Sequence, residues 1–421
     1  MKKHVKRLAA NPLITGSSVM FLGTFFANIF NYGFSLMLGR LLPVADYGLV
    51  VSLASLITIF TLFQTSFANI FAKFSAQYFA NGDKKKLELL INGGLQVVSL
   101  VACIVFGAML ISFPLIQSFL KVDNIFLLFL VAGFIFVSIL YSLPSGILQG
   151  ELKFFSLSLL NIFSTISKIL VGTGLVLIGW GVFGAMSGYL ISSLVPFLIG
   201  TILLFVHNKI HFTSRANFLL FVNEFKSYSF FFLLASLGIS AFNSMDVILM
   251  RNIFDPVTSG QYAALSLMGK SIFYITAPIY FVFFPLISKK RALKEKLTPT
   301  LLLAGSIILL ISLGFSLFYF LFPQLVVSIF YPAKEYAALA HLLGPYSLFV
   351  TVFSLAFLLH NYLLSIGKTG IYKINLICGV SLIVLFYILG STLVSVVWIL
   401  MVMSLVLFVS LLLYYFYHGR D

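Results

Sequence analysis

Charge is scarce in this sequence. Of 421 residues only 9% are Asp, Glu, Lys or Arg, and the acidic ones number 11. A soluble domain carries about 25% charged residues, so this scarcity, beside 61% hydrophobic content, excludes an ordinary globular protein. Cysteine is almost missing as well. Cys103 and Cys378 both lie inside apolar runs, which excludes a disulfide framework or a zinc cluster and reads them as packing residues. His341 and His360 are not at metal-ligand spacing, and the H-E-x-x-H, G-x-G-x-x-G, Walker A and G-x-S-x-G patterns are absent. No ATP-driven step, metal or cofactor is expected, and no folded soluble domain fits into the short polar breaks.

What the sequence has is apolar length. A spanning helix takes about 20 apolar residues, and such runs recur from Ile14 to Tyr417, with a mean hydropathy of +1.12 over the chain. Hydropathy and breaks predict twelve spans, near 14–38, 47–72, 91–113, 124–148, 156–178, 182–206, 228–250, 260–287, 299–321, 341–365, 371–389 and 392–416. The run from Ile14 follows a basic stretch but is too long for a signal-peptide core, so it reads as a retained first helix. The fold class is an all-α polytopic membrane protein.

Lys and Arg set the orientation. Lys2, Lys3, Lys6, Arg7, Lys73, Lys84, Lys85, Lys86, Lys153, Lys209, Arg215, Lys226, Lys289, Lys290, Arg291, Lys294, Lys296, Lys368, Lys373 and Arg420 fall on one side. Arg40, Lys121, Arg251 and Lys334 fall on the other. The first side is therefore cytoplasmic and holds both termini. The net charge of +15 follows from this bias and from contact with anionic headgroups rather than from nucleic-acid binding. The longest inner connection divides the chain into a six-helix lobe over 1–206, a cytoplasmic linker over 207–227 and a second six-helix lobe over 228–421. Its segment ANFLLFVNEFKSY reads as an amphipathic interfacial helix.

The halves share a local pattern. Aligning Phe30–Leu56 with Phe242–Lys270 pairs Phe30 with Phe242 and Asn31 with Asn243, and a three-residue insertion in the second loop then pairs Tyr47 with Tyr262. Both copies run from inside to outside and back, which describes parallel repeats.

Ionisable groups at membrane depth cost on the order of 3 kcal/mol each by insertion scales, so they face a polar pathway or a partner. Lys168 and Lys270 lie near mid-span, too far from an end to snorkel. Residues three or four apart share a helix face. Asn28 and Asn31 lie on one such face of the first span, Asn161, Thr165 and Lys168 on the fifth, Asn243 and Asp246 on the seventh, and Tyr262, Ser266 and Lys270 on the eighth. Lys168, Lys270, Asn28, Asn31, Asn243 and Lys73 are therefore candidate substrate-binding residues, although Ser, Thr and Asn also join packed helices and Lys73 is close enough to an end to snorkel. Asp246 has two candidate partners, Arg251 about one turn away and Lys270 on the neighbouring helix, and serves either helix pairing or ion coupling.

The patterns LGRLLPVADYGLVVSLASL (Leu38 to Leu56), NGDKKKLELL, and D-x-x-L-M with downstream SGQYAALSLMGK and VFFPLIS resemble the polysaccharide flippases of the multidrug/oligosaccharidyl-lipid/polysaccharide exporter superfamily. The resemblance implies two pseudo-symmetric six-helix lobes, as in the multidrug extruders, facing a central cavity with alternating access. It implies a polyprenyl-pyrophosphate-linked oligosaccharide as substrate, moved from the cytoplasmic to the outer leaflet of a bacterial-type inner membrane. Polysaccharide polymerases or glycosyltransferases are the implied partners. Asp246, Gly260, Tyr262 and Lys270 match its second-half pattern; Arg40, Asp46, Tyr47 and Gly48 match the first-half loop. With Arg251, the charged loop residues Arg40 and Asp46 read as parts of an outer gate.

The competing reading is a multidrug and toxin extruder coupled to protons or sodium. It needs a membrane carboxylate, and the first six spans have none at mid-depth. An enzyme is not expected: the largest outer connection, Phe322 to Ala340, carries one lysine and one glutamate.

Overall fold

The computed structural model describes residues 12–208 and 228–418. All but the last residue of the linker segment expected to form an interfacial helix, the basic residues before Pro12 and Arg420 lie outside the described residues. Apolar runs of this length leave the backbone no water to bond, so each span closes its hydrogen bonds within a helix, and the described residues contain helices and no strand. In chain order the long helices are α1 (Pro12–Leu41), α2 (Val44–Ala80), α3 (Lys84–Leu120), α4 (Phe126–Gly150), α5 (Phe154–Leu175) and α6 (Gly181–Asn208). Then come α7 (Tyr228–Ser240, continuing over Asp246–Ile253), α8 (Pro256–Ala292), α9 (Thr298–Leu321), α10 (Ala340–Ser365), α11 (Tyr372–Leu389) and α12 (Leu393–His418). Each contains or closely overlaps one of the twelve predicted spans. Among the described residues, nine helical stretches are long and apolar enough to cross a membrane, one of them the 52-residue run from Phe154 to Phe205 that holds both α5 and α6. α1 and α8, of 30 and 37 residues, complete the twelve.

α2 and α3 are longer than predicted, at 37 residues each. At 1.5 Å per residue that is about 55 Å, well beyond a hydrocarbon core of about 30 Å. Hydropathy stops at the first charges, whereas the helices stop at the turn through Gly82 and Asp83. There Asp83 caps α3 by accepting from the Lys86 backbone N–H at 3.1 Å and pairing with its ammonium at 3.1 Å.

The chain forms two compact units. The first comprises Met1–Phe34 and Phe60–Phe230, the second Ser35–Ile59 and Phe231–Asp421. In the first unit α3 packs on α4, α4 on α6 and α5 on α6; in the second, α9 packs on α10, α10 on α12 and α11 on α12. The neighbours are the same when the helices are counted from the start of each half, as repeated units require. Lipid gives helices little hydrophobic reason to associate, so contact comes from close packing and polar bonds. In the first unit Tyr141, Leu148, Leu157 and Leu160 form an apolar cluster. In the second, α7, α8 and α10 meet through the rings of Phe242, Phe273, Phe353, Phe357 and Tyr280, with centroids 5.0–6.0 Å apart.

The C-terminal end of α1 and the N-terminal part of α2 belong to the second unit, and side chains explain why. Arg40 donates from Nε to Phe330 O at 2.8 Å and from Nη2 to Ile329 O, closing the last turn of the short helix Pro323–Phe330. The hydroxyls of Tyr47 and Tyr331 bond at 2.9 Å, and Tyr336 donates to Gly39 O at 3.4 Å. α2 and α8 cross at Gly48 and Gly260, where a Cβ on Gly48 would come within 2.7 Å of the Gly260 backbone.

Candidate functional site

Lys168 is held entirely inside the first unit. It lies on α5, which approaches α6 closely because Gly172 meets Gly188: a Cβ on Gly188 would stand 2.8 Å from both Gly172 N and Lys168 O. Ser164 fastens the same pair one turn earlier, donating to Ser192 O at 2.6 Å. This approach sets Lys168 beside Tyr189, whose ring centroid is 4.7 Å from Nζ. From α1, Asn31 Oδ1 accepts from Nζ, and the Phe34 ring, one turn on, lies 5.1 Å from it. The ammonium is buried, and among the described residues it forms no ion pair. A desolvated cation over an aromatic face gains about 2 kcal/mol, and a hydrogen bond from a charged group about 1.5–3 kcal/mol. Together these offset an insertion cost of about 3 kcal/mol. The charge is stabilised but not neutralised.

Lys270, in the second unit, is held differently. α7 passes through a π-helical stretch, Ala241–Met245, immediately before Asp246. A π stretch adds a residue to the turn and changes which side chains face a neighbour. Asp246 is fully buried here, and Lys270 Nζ reaches its carboxylate at 2.8 and 3.1 Å and the Asn243 carbonyl at 2.9 Å. Tyr262 and Tyr346 each donate to the same carboxylate at 3.1 Å, and Ser266 approaches it at 3.4 Å. Tyr346 comes from α10, seated against Gly269, and its hydroxyl lies 3.0 Å from that of Ser266. A buried ion pair recovers its desolvation cost only when further hydrogen bonds satisfy the carboxylate, and these hydroxyls do so.

The α8 stripe Tyr262, Ser266 and Lys270 thus converges on one carboxylate, and of the two candidate partners it is Lys270 that forms the ion pair. Arg251 points elsewhere, donating from Nη1 to Ala45 O at 3.2 Å. In the alignment that pairs Asn31 with Asn243, Phe34 falls opposite Asp246. The two asparagines each accept from a buried lysine, one through its side chain and the other through its backbone.

Other predicted residues stand apart from these shells. Asn28 is half-buried on α1, about one turn before Asn31. Lys73 is exposed on α2, its ammonium 5.5 Å from the ring centroid of Phe74, and belongs to neither shell. Arg40, Asp46 and Arg251 all fall in the second unit, Arg40 in the last turn of α1, Asp46 half-buried in the first turn of α2 and Arg251 in the last turn of α7. His360 is buried with Nδ1 2.9 Å from Asn375 Nδ2; His341 is exposed. Cys378 is buried as expected of a packing residue, while Cys103 is exposed. Three members of the shells escaped sequence reasoning: Phe34, Tyr189 and Tyr346. One aromatic among 48 phenylalanines and 19 tyrosines carries no local mark of its role.

A family model described as "Polysaccharide biosynthesis protein" matches residues 13–291, which include Asn31, Lys168, Asp246 and Lys270. The fold is shared with a multidrug resistance transporter of the MATE family and MOP superfamily in an inward-facing conformation. That match has a TM-score of 0.71 and 18% identity, over 92% of this chain and 94% of that one. It is shared also with the lipid II flippase MurJ in an inward closed conformation, at a TM-score of 0.70 and 16% identity, over 94% and 86%. A MOP superfamily transporter from Pyrococcus furiosus, described as having a binding pocket of reverse polarity, matches at 0.57 and 16% identity, over 97% and 96%. No curated protein matches the sequence.

Proposed function

The chain belongs to the polysaccharide biosynthesis protein family, and on that premise we propose that it is a flippase for polyprenyl-pyrophosphate-linked oligosaccharide. It moves this lipid from the cytoplasmic to the outer leaflet of a bacterial-type inner membrane by alternating access of two six-helix lobes joined through residues 207–227. Both termini are cytoplasmic on the positive-inside count. Polymerases or glycosyltransferases act on the lipid before and after it crosses.

One observation carries this reading: Lys168 is a buried cation held by an amide oxygen and two aromatic faces. Neutral partners leave its charge available to an anion. A pyrophosphate forms charge-assisted hydrogen bonds roughly twice as strong as neutral ones, so it competes with the Asn31 amide for the ammonium. The same geometry disfavours export of cationic drugs. The mid-span carboxylate that such a cargo needs, Asp246, is engaged by Lys270 and three hydroxyls.

The test is transbilayer movement of a fluorescent polyprenyl-diphosphate disaccharide in proteoliposomes. The wild-type protein accelerates it, and Lys168→Ala lowers the rate at least about tenfold, the effect of 1.4 kcal/mol, with normal insertion. Equal rates for the two proteins remove Lys168 from the mechanism. Transport of cationic dyes without movement of the lipid replaces the flippase with an extruder.

A further inference from the structure

The oxygens around Lys270 form a recognisable donor set. Both carboxylate oxygens of Asp246 and the carbonyl of Asn243 lie 2.8–3.1 Å from a single point, the ammonium nitrogen. Carboxylate and carbonyl oxygens suit hard cations, and one carboxylate supplies one compensating charge. The carbonyl comes from the π-helical stretch of α7, and irregular backbone inside membranes is where transporters present carbonyls to monovalent cations. Burial of Asp246 requires that its charge be neutralised, because a lone buried carboxylate is strongly destabilising, and here the neutralising group is a cation at this point.

We infer that Asp246 and the Asn243 carbonyl make a monovalent-cation site, which the chain fills with its own Lys270 ammonium. An ammonium and a potassium ion are of similar size, so potassium and the small alkylammonium ions are the chemical class the site takes once the tether is removed. The covalent link keeps the local concentration of the lysine cation far above that of any free ion. No exchangeable cation therefore enters this site in the intact protein, and coupling of transport to an external cation does not pass through it. Lys270 is a permanent counter-ion, in contrast to Lys168.

The test is the thermal unfolding midpoint of the full-length protein in detergent, titrated with methylammonium, potassium or sodium against choline at constant ionic strength. Wild type is expected to show the same midpoint in every salt. Lys270→Ala is expected to start lower and to rise saturably with methylammonium or potassium, as ligand linkage requires. Asp246→Asn combined with Lys270→Ala is expected to show no cation-specific rise, because the charge that binds the ion is gone. A Lys270→Ala protein indifferent to the cation overturns the proposal, as does a wild-type protein with the same cation-specific rise. If Lys270→Ala aggregates in choline, recovery in methylammonium buffer while the double variant is recovered in either supports the site; aggregation in both buffers overturns it. These readouts need no substrate, so they stand apart from the flippase reading.

Discussion

Phe34 and Asp246 occupy matched positions in the two related segments, and each faces a buried lysine from another helix of its own unit. At the first position the lysine meets the face of a ring, at the second a carboxylate. The difference is chemical: an aromatic face attracts a cation without cancelling its charge, whereas a carboxylate cancels it. One scaffold thus carries an available cation at Lys168 and a neutralised one at Lys270.

Converting the first shell into a copy of the second should disable it. Asn31→Asp puts a carboxylate where the amide oxygen meets Lys168. Flipping of the lipid-linked oligosaccharide is expected to fall about tenfold or more, corresponding to a loss of at least 1.4 kcal/mol of anion binding, with the unfolding midpoint unchanged or raised. Asn31→Ala, which leaves the cation available, should retain more activity. Equal activity in Asn31→Asp and wild type would exclude an anion-binding role for the shell.

The helix approach behind Lys168 is tested by one methyl group. Gly188→Ala overpacks the α5–α6 contact and should cost about 1–3 kcal/mol. Gly174→Ala enters open space on α5 and should be neutral or stabilising by up to about 1 kcal/mol. Unfolding midpoints in the opposite order would show that the approach is not tight.

Arg40 spans two carbonyls at the end of Pro323–Phe330. Removing it in Arg40→Ala should speed amide hydrogen exchange over residues 323–336 with little change in α4. Arg40→Lys should not restore protection, since an ammonium lacks the fork that reaches both oxygens. Unaltered exchange in Arg40→Ala would count against the residue as a fastening.

Asp255 caps α8, accepting from the backbone N–H groups of Val257 at 3.0 Å and Thr258 at 3.1 Å. Hydrogen bonds from Thr258 hold its pKa below the ordinary 3.8. A depressed folded-state pKa contributes stability above the unfolded value, and that contribution is lost as pH falls through the folded value. Asp255→Ala should cost about 1 kcal/mol at neutral pH. The advantage of wild type over Asp255→Asn should shrink on acidification through the carboxylate range. An advantage that grows with acid would reverse the assignment.

Much of the fold was legible because bilayer length and hydropathy act locally: a run of about 20 apolar residues has to be a helix wherever it sits. Lys168, Lys270, Asp246 and Asn31 stood out for a related reason, since an ionisable or amide group in such a run needs a partner within reach. The lengths of α2 and α3 were less legible. Charged residues end a hydropathy run, but they continue a helix until a turn such as Gly82–Asp83 stops it.

The sequence by itself determined the helical membrane class, the succession of spans and the few positions where polarity is buried. Only tertiary structure decided which lysine is neutralised. That outcome depends on the π-helical stretch before Asp246, on the approach of α8 and α10 to its carboxylate, and on the Gly172–Gly188 contact that sets Lys168 beside Tyr189. Tertiary structure also joined Ser35–Ile59 to the second unit, through Arg40, Tyr47 and Gly48. Helix periodicity states which face of a span is polar. The partner across that face lies more than 100 residues away for Lys168 and Asn31, so its identity is a property of packing alone.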